Sequence, residues 1–577
     1  MTPDGGRSFP RSRRVDDGRL FAARHGVVEN VDLDPRAILA GATKLAERFG
    51  DEAYFAALCL RSGMISPQMP HQVARILMAF DRHGLLGGAA TAGAIRFGDR
   101  TAVIDELGEL SYTDLDLRSN AIANAWRESG LEPGEGVAIL VRNHGGFFDA
   151  VFAAAKCGAR IILLNTSFAG PQIREVAGHE GTDLLVFDDE YAEALAEVQP
   201  PRGRWRAWAE EPGDDTLEAL AERGSSDAPP RTGANLRITI LTSGTTGSPK
   251  GAPRSEPRSL SLIGGLLSKV PFRAKEVTEM CVPMFHALGF MQAMAGIGLG
   301  STLVVRRRFD PEETLDSLER HRATAMVVVP VMLQRILDLG DETVAQRETS
   351  ALRIIFVSGS QLGAELARRA AGAFGPVVYN LYGSTEIAYA TIATPEDLEA
   401  EPSSVGKVVR GSVVKILGAD GEQLPHGATG RIFVGNLSQF EGYTGGGGKE
   451  QVRGLMASGD VGHFDAQGRL FIEGRDDEMI VSGGENVFPA EVEELLAGHE
   501  SVGEAAVIGV DDEKFGQRLK AFVVLRPGAE LTEDQVKDYV SGNLARYKAP
   551  RDVVFLESLP RNPTGKVLKR ELKERAS

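Results

Sequence analysis

Cysteine is scarce in this chain: Cys59, Cys157 and Cys281 are the only three among 577 residues, far apart and never in a C-x-x-C pair. That spacing argues against a disulfide framework or a zinc site and suits a reducing, cytoplasmic setting. Long hydrophobic runs are missing as well. No apolar stretch approaches the ~20 residues of a membrane span, which leaves peripheral membrane contact open. The basic N-terminus, MTPDGGRSFPRSRR, is followed by no apolar segment and does not read as a secretory signal. Positive charge is in deficit, with 64 Lys and Arg against 80 Asp and Glu, a net charge of −16. A general nucleic-acid binder would carry a basic face, so no nucleic acid is expected as a partner. No repeat of fixed period is visible.

What is present is ordinary for a globular enzyme: 42% hydrophobic and 25% charged residues. The length exceeds one hydrophobic core and predicts several domains. Residues 1–35, rich in Arg, Gly and Asp, read as a mobile segment. A helical N-terminal extension follows over 36–90. In HQVARILMAF, Val73, Ile76, Leu77 and Phe80 fall at helical spacing and predict a helix docked on the body. A weakly basic polar face disfavours the alternative, a helix lying on a membrane. From 91 to 475 β-rich runs alternate with helical stretches. GVAILV (136–141), RIILLN (160–165), DLLVFD (183–188), RITIL (237–241), AMVVVP (325–330) and RIIFVSG (353–359) predict buried strands, with helices near 113–130 and 362–374. The fold class is therefore α/β, a large body of mostly parallel sheets flanked by helices. Texture changes near 474. Residues 476–477 read as a hinge, and 478–577 as a small mobile α+β domain, where Pro489 suits a helix first turn and Thr532 with Gln535 forms a capping box.

Several short stretches carry chemistry. LTSGTTGSPKGA (241–252) places glycines and hydroxyls directly behind a strand and adds Lys250, a composition suited to cradling phosphate. It is not a P-loop, because Lys250 follows Pro249 and precedes Gly251. YNLYGSTEIAYA (379–390) offers Glu386, a hard oxygen donor of the kind Mg²⁺ prefers, and the flat ring of Tyr382. MASGDVGHFD (456–465) presents Asp460 in a glycine turn, where a carboxylate can accept both hydroxyls of a ribose. LPRNPTGKVLKREL (559–572) puts Lys566 on the small domain, near other basic residues. GIGLG (296–300) precedes a strand, the wrong order for a dinucleotide fingerprint, and GGGGKE (445–450) fails as a P-loop. Each of the four candidate stretches alone fits a solvated turn or tail about as well.

Their order along one chain resembles the core motifs of the adenylate-forming superfamily: acyl-CoA synthetases, adenylation domains and luciferases. LTSGTTGSPKGA, PMFHALGF, YNLYGSTE, ASGDVGHFD, GRDDEMIVSGGENVFPAEVE and PRNPTGKVLKREL appear in sequence from near 90 to near 575, closest in texture to bacterial fatty-acyl-CoA synthetases. The resemblance implies that Thr242, Ser243, Gly244, Thr245, Thr246, Gly247 and Lys250 close over the β- and γ-phosphates of ATP. It implies that Glu386 holds Mg²⁺, that Thr385 contacts the α-phosphate, and that Gly359, Ser360, Asn380, Tyr382 and Gly383 form the base pocket. Asp460 and Arg475 would bind the ribose, and Lys566 would bridge the α-phosphate and substrate carboxylate. His286 would line the junction of acyl and pantetheine groups. Asp477 matches the hinge, and Ser482, Gly483 and Gly484 match the coenzyme A tunnel.

Three stretches depart from the family's pattern: Ser458 stands where Thr is commoner, TGGGGKEQVRG lacks the usual proline-acidic pattern, and GAPRSEPRS follows the phosphate loop. The last could bear on specificity or on phosphate contact. The expected activity is activation of a fatty acid through an acyl-adenylate, then transfer to coenzyme A with release of AMP. The apolar, methionine-containing run from His286 to Val305 suits a fatty acid. An aryl-CoA ligase and an acyl-AMP ligase loading a carrier protein remain alternatives, and oligomeric state is not legible.

Overall fold

The computed structural model describes residues 35–168, 170–233, 236–242, 250–256, 259–482, 485–512, 516–562 and 565–576. The expectation of a mobile segment over 1–35 falls almost wholly outside them. The described residues up to Asp51 belong to one compact unit, and those from Glu52 onward to the other.

In the second unit the predicted strands all form. Gly136–Leu140, Arg160–Leu163, Leu184–Asp188 and Arg237–Thr242 belong to a six-stranded sheet. Ala325–Val328 and Ile354–Val357 belong to a nine-stranded one. Pairings at the centre of both sheets are parallel. The nine-stranded sheet turns antiparallel at both edges, and the six-stranded one only at the edge Lys250–Ser255, its other edge Arg204–Trp208 staying parallel. Central strands such as Gly136–Leu140 and Ala325–Val328 are buried along their whole length. That explains why they read as unbroken apolar runs rather than alternating ones. The helix Gly145–Cys157 contacts strands of both sheets and is buried nearly all round, with Phe147, Phe148 and Phe152 inaccessible. Burying each such side chain contributes about 1.5–3 kcal/mol. A third sheet, antiparallel, carries Leu455–Phe464 and Leu470–Arg475.

The C-terminal part has its own core, built around Ile480, Val492, Val507, Leu519 and Val540. Its sheet rests on the long hairpin Val502–Asp512 and Gly516–Leu525. Pro489 opens the helix Pro489–Ala497. Thr532 and Gln535 make the expected reciprocal cap, with Thr532 N donating to Gln535 Oε1 at 2.8 Å.

Two expectations need correction. Asp460 is not in a turn. It lies within the strand Leu455–Phe464, directly opposite Arg475 on the neighbouring strand. Gly459 and Gly462 made that stretch look like a turn. Gly462 is required because a Cβ there would meet Phe471 O at 2.1 Å. The second correction concerns the helix Pro70–Phe97. It breaks at Gly84, whose φ of 72° and ψ of −173° are not helical. Docking falls to Leu86, Ala90 and Ala92 after the break, while Val73 and Leu77 before it are 41% and 62% exposed.

Candidate active site

The site gathers at the ends of strands from all three sheets of the large body. Thr242 closes the strand Arg237–Thr242, and the chain returns as the edge strand Lys250–Ser255. Ser243, Gly244, Thr245, Thr246 and Gly247 lie outside the described residues. Pro253 is tolerated because its strand pairs on one side. Lys250 Nζ stands 5.3 Å over the ring of Tyr443.

Asn380, Tyr382 and Gly383 lie on the strand Val378–Ser384, which pairs with Ala388–Ala393 as a hairpin. Gly383 admits no side chain, since a Cβ would meet Ala388 O at 2.0 Å. Thr385 and Glu386 occupy the hairpin turn. Tyr443 Oη donates to Glu386 Oε1 at 2.9 Å, and Ser384 Oγ donates to Oε2 at 3.0 Å. Gly359 and Ser360 follow the strand Ile354–Val357, with Gly359 at φ 100°.

Asp460 is held from two sides. Tyr382 Oη donates to its Oδ2 at 2.6 Å, and Arg475 Nη1 lies 3.4 Å from Oδ1. Arg475 Nε also donates to Asp477 Oδ1 at 3.0 Å. Burial opposes the charge on Arg475, but Asp477 and Asp460 outweigh it and raise its pKa. Burial, reinforced by Asp460, holds the Tyr382 phenol far above its ordinary value, so it remains a donor. His286 precedes the helix Ala287–Leu299. Burial pushes its pKa down to about 4, and its Nε2 has no hydrogen-bond partner among the described residues. The ring is therefore neutral at physiological pH.

One cavity of about 1530 Å³ is lined by every candidate residue just placed from Lys250 to Arg475. Lys566 and Asp477 line it too. Ligand pockets usually measure roughly 300–1,000 Å³, so this volume can hold more than one substrate at once. Lys566 reaches it from the C-terminal part. The preceding Gly565, at φ 76°, packs so closely on Val331 that a Cβ would lie 2.3 Å from that side chain. Ser482 ends the strand Ile480–Ser482 and is not part of the cavity wall. Gly483 and Gly484 lie outside the described residues.

Two residues were missed as individuals. Arg254 lines the cavity and donates to the Thr385 carbonyl, and among the described residues its Nε has no partner. Burial lowers its pKa to about 10, with Glu386 opposing, so it stays cationic. The unusual GAPRSEPRS was the only signal for it. Tyr443 gave none. As for Mg²⁺, the donors fit. Glu386 is a carboxylate on the cavity wall with lone pairs left over, and Mg²⁺ is commonly held by one or two carboxylates together with substrate phosphates. Among the described residues no group of three or more metal-ligating side chains competes for such an ion.

Residues 91–444 match the AMP-binding enzyme family, and residues 491–566 match the AMP-binding enzyme C-terminal domain. The chain belongs to the AMP-binding enzyme family. This AMP-binding enzyme is 32% identical to an indoleacetate–CoA ligase of Aromatoleum aromaticum, over 86% of its own length and 96% of the relative's. It is 29% identical to a long-chain-fatty-acid–CoA ligase of Mycobacterium tuberculosis, over 81% and 93%. Among solved structures it is similar to the o-succinylbenzoate CoA synthetase of Bacillus subtilis in complex with its acyl-adenylate. There the TM-score is 0.73 and the identity 25%, over 84% of this AMP-binding enzyme and 97% of that chain. The adenylate-forming resemblance and the two-part α/β fold expected from the sequence both hold.

Proposed function

We propose that the protein activates a medium- or long-chain fatty acid as its acyl-adenylate and transfers the acyl group to coenzyme A. The coarser part of this reading, AMP-forming acid–thiol ligation, rests on the family and on relatives that ligate acids to coenzyme A. The fatty acid rests on one observation, the apolar end of the cavity. Its walls include Phe290, Met291 and Met294 from the helix Ala287–Leu299 and Ile76, Leu77 and Phe80 from the helix Pro70–Phe97. Charged groups there are engaged by backbone. Arg96 donates to Gly298 O at 3.0 Å and Gly63 O at 3.2 Å. Glu256 accepts from Leu85 N and Leu86 N. A hydroxyl or amino substituent buried against those apolar side chains without a partner would cost about 1–3 kcal/mol.

In the first step a carboxylate oxygen attacks the α-phosphorus of ATP and pyrophosphate leaves. Charge gathers on phosphoryl oxygens, so fixed positive groups and amides matter more than a nucleophilic side chain. Lys566 supplies one such charge at the cavity mouth, and Thr385 offers its hydroxyl to the α-phosphate. Asp460, steadied by Tyr382 and Arg475, accepts from the ribose hydroxyls. Mg²⁺, when bound, would be held by Glu386 and would neutralise phosphate charge. In the second step the thiolate sulfur of coenzyme A attacks the acyl carbon and AMP leaves. The neutral His286 ring beside that carbon adds no charge of its own. With Lys566 on the cavity wall and Ser482 away from it, the geometry suits the first step. The second calls for the C-terminal part to turn about Asp477 and bring Ser482, Gly483 and Gly484 to the thiol's path.

The test is pyrophosphate release across acids of graded length and aromaticity, with and without coenzyme A. Straight-chain acids of roughly eight to sixteen carbons should give the highest kcat/KM, each buried methylene adding up to ~0.8 kcal/mol until the pocket fills. An acetate, benzoate or indoleacetate substrate outperforming all of them would reject the fatty acid and leave the ligase. Activity with a carrier protein but none with coenzyme A would reject the acceptor.

A further inference from the structure

We infer that the helix Pro70–Phe97, pinned at its break by Glu256, is the end wall of the acid pocket and sets the longest acyl chain accepted. This rests on the fatty-acid reading above. The family match begins at residue 91, so most of this helix lies outside it. Val73, Ile76, Leu77 and Phe80 nevertheless line the same cavity as Asp460 and Lys566. These are the four residues whose helical spacing predicted a buried face, yet Val73 and Leu77 remain substantially exposed. An apolar face left uncovered at the end of an apolar cavity gains burial when an alkyl chain reaches it.

At its break the helix is held by one carboxylate. Where the helix breaks at Gly84, the restarting turn presents backbone N–H groups that need acceptors. Glu256 Oε2 accepts from Leu85 N at 2.9 Å, and Oε1 accepts from Leu86 N at 2.8 Å. The break favours glycine, because side chains rarely adopt a φ of 72° with a ψ of −173°. Glu256 directly follows the strand Lys250–Ser255, which carries Lys250 and Arg254 into the nucleotide end of the cavity. One strand and its flank therefore tie Lys250 and Arg254 to the helix break. Glu256 is thus a positioning residue for chain length.

The experiment compares kcat/KM for pyrophosphate release over a straight-chain acid series in the unsubstituted protein and three variants, with melting curves to confirm folding. Ile76→Trp should shorten the pocket, lowering kcat/KM for the longest accepted acid about tenfold, the loss of about two buried methylenes, while short acids keep theirs. Phe80→Ala should shift the optimum towards longer acids. Glu256→Gln keeps one acceptor for the two N–H groups and should blunt the length preference without slowing short acids. A length profile unchanged in folded Ile76→Trp and Phe80→Ala overturns the wall and leaves the fatty acid standing. Equal losses at every chain length in all three variants overturn it too, because the helix would then be merely structural. If no straight-chain acid supports pyrophosphate release in the unsubstituted protein, the fatty-acid reading falls, and the wall with it.

Discussion

Lys566 carries an exposed ammonium to the cavity on a loop anchored through Gly565. Removing a charge aimed at the transition state commonly costs about 10²–10³ in rate. Lys566→Ala should therefore suppress acid-dependent ATP–pyrophosphate exchange on that scale. Thioester formation from supplied acyl-adenylate should fall far less, and equal loss in both assays would remove the role given to Lys566. Arg254 allows a different test. Its guanidinium steadies the Thr385 carbonyl, and its Nε is buried with no partner among the described residues. Arg254→Met should lower adenylate formation roughly tenfold or more, as for a lost charge-assisted bond of about 1.5–3 kcal/mol, while the melting temperature stays level or rises. Arg254→Lys should not restore the rate, because an ammonium lacks the planar fork. Glu386, Asp460, Arg475 and Lys566 were legible because each sits inside a local motif of fixed spacing. Arg254 and Tyr443 were not, because their partners lie 131 and 57 residues away along the chain. The neutrality of His286 was hidden for a related reason: it comes from burial, which only the packed structure sets.

Among the elements, parallel strands were easiest to read, because burial on both faces leaves a continuous apolar run. The break at Gly84 was the hardest. Apolar spacing continues through it, and the carboxylate that stabilises the break comes from Glu256, far along the sequence. His83, just before the break, is buried. Burial pushes its pKa down to about 4, the charges of Lys156 and Arg82 add to this, and Asp116 opposes. An unfolded histidine titrates near 6.5. Between pH ~6.5 and ~4 the unfolded chain takes up a proton that the folded one refuses, so stability falls as pH falls, by at most about 1.4 kcal/mol per pH unit from this group. Urea midpoints for the native protein should drop across that window, and His83→Gln should flatten part of the drop. An unchanged slope in the variant would show that His83 does not titrate this way.

For the molecule as a whole, the turn between Arg475 and Ile480 carries Asp477, and the C-terminal part crosses back to it through Lys569. That ammonium lies 2.8 Å from Glu478 and 3.0 Å from Glu493. Asp477→Pro fixes φ and deletes an amide donor. Acyl-adenylate should then accumulate in quenched reactions while acyl-CoA formation collapses, and wild-type rates in both steps would move the hinge elsewhere. Two-part architecture was readable from a change in texture near residue 474, but how the parts meet was not, since Gly565 against Val331 joins residues with no sequence relation. The nine-stranded sheet carries a consequence for synthesis. Val103 lies beside Leu303 in that sheet, and Arg100 binds the carbonyl of Gly300, 200 residues further on. At ~5–20 residues per second the ribosome needs roughly 10–40 s to deliver those partners. Through that interval the nascent hairpin from Thr101 to Ser111 has an open edge, and what chaperones cover it, or how slowly the chain is made, decides how much of it reaches the sheet.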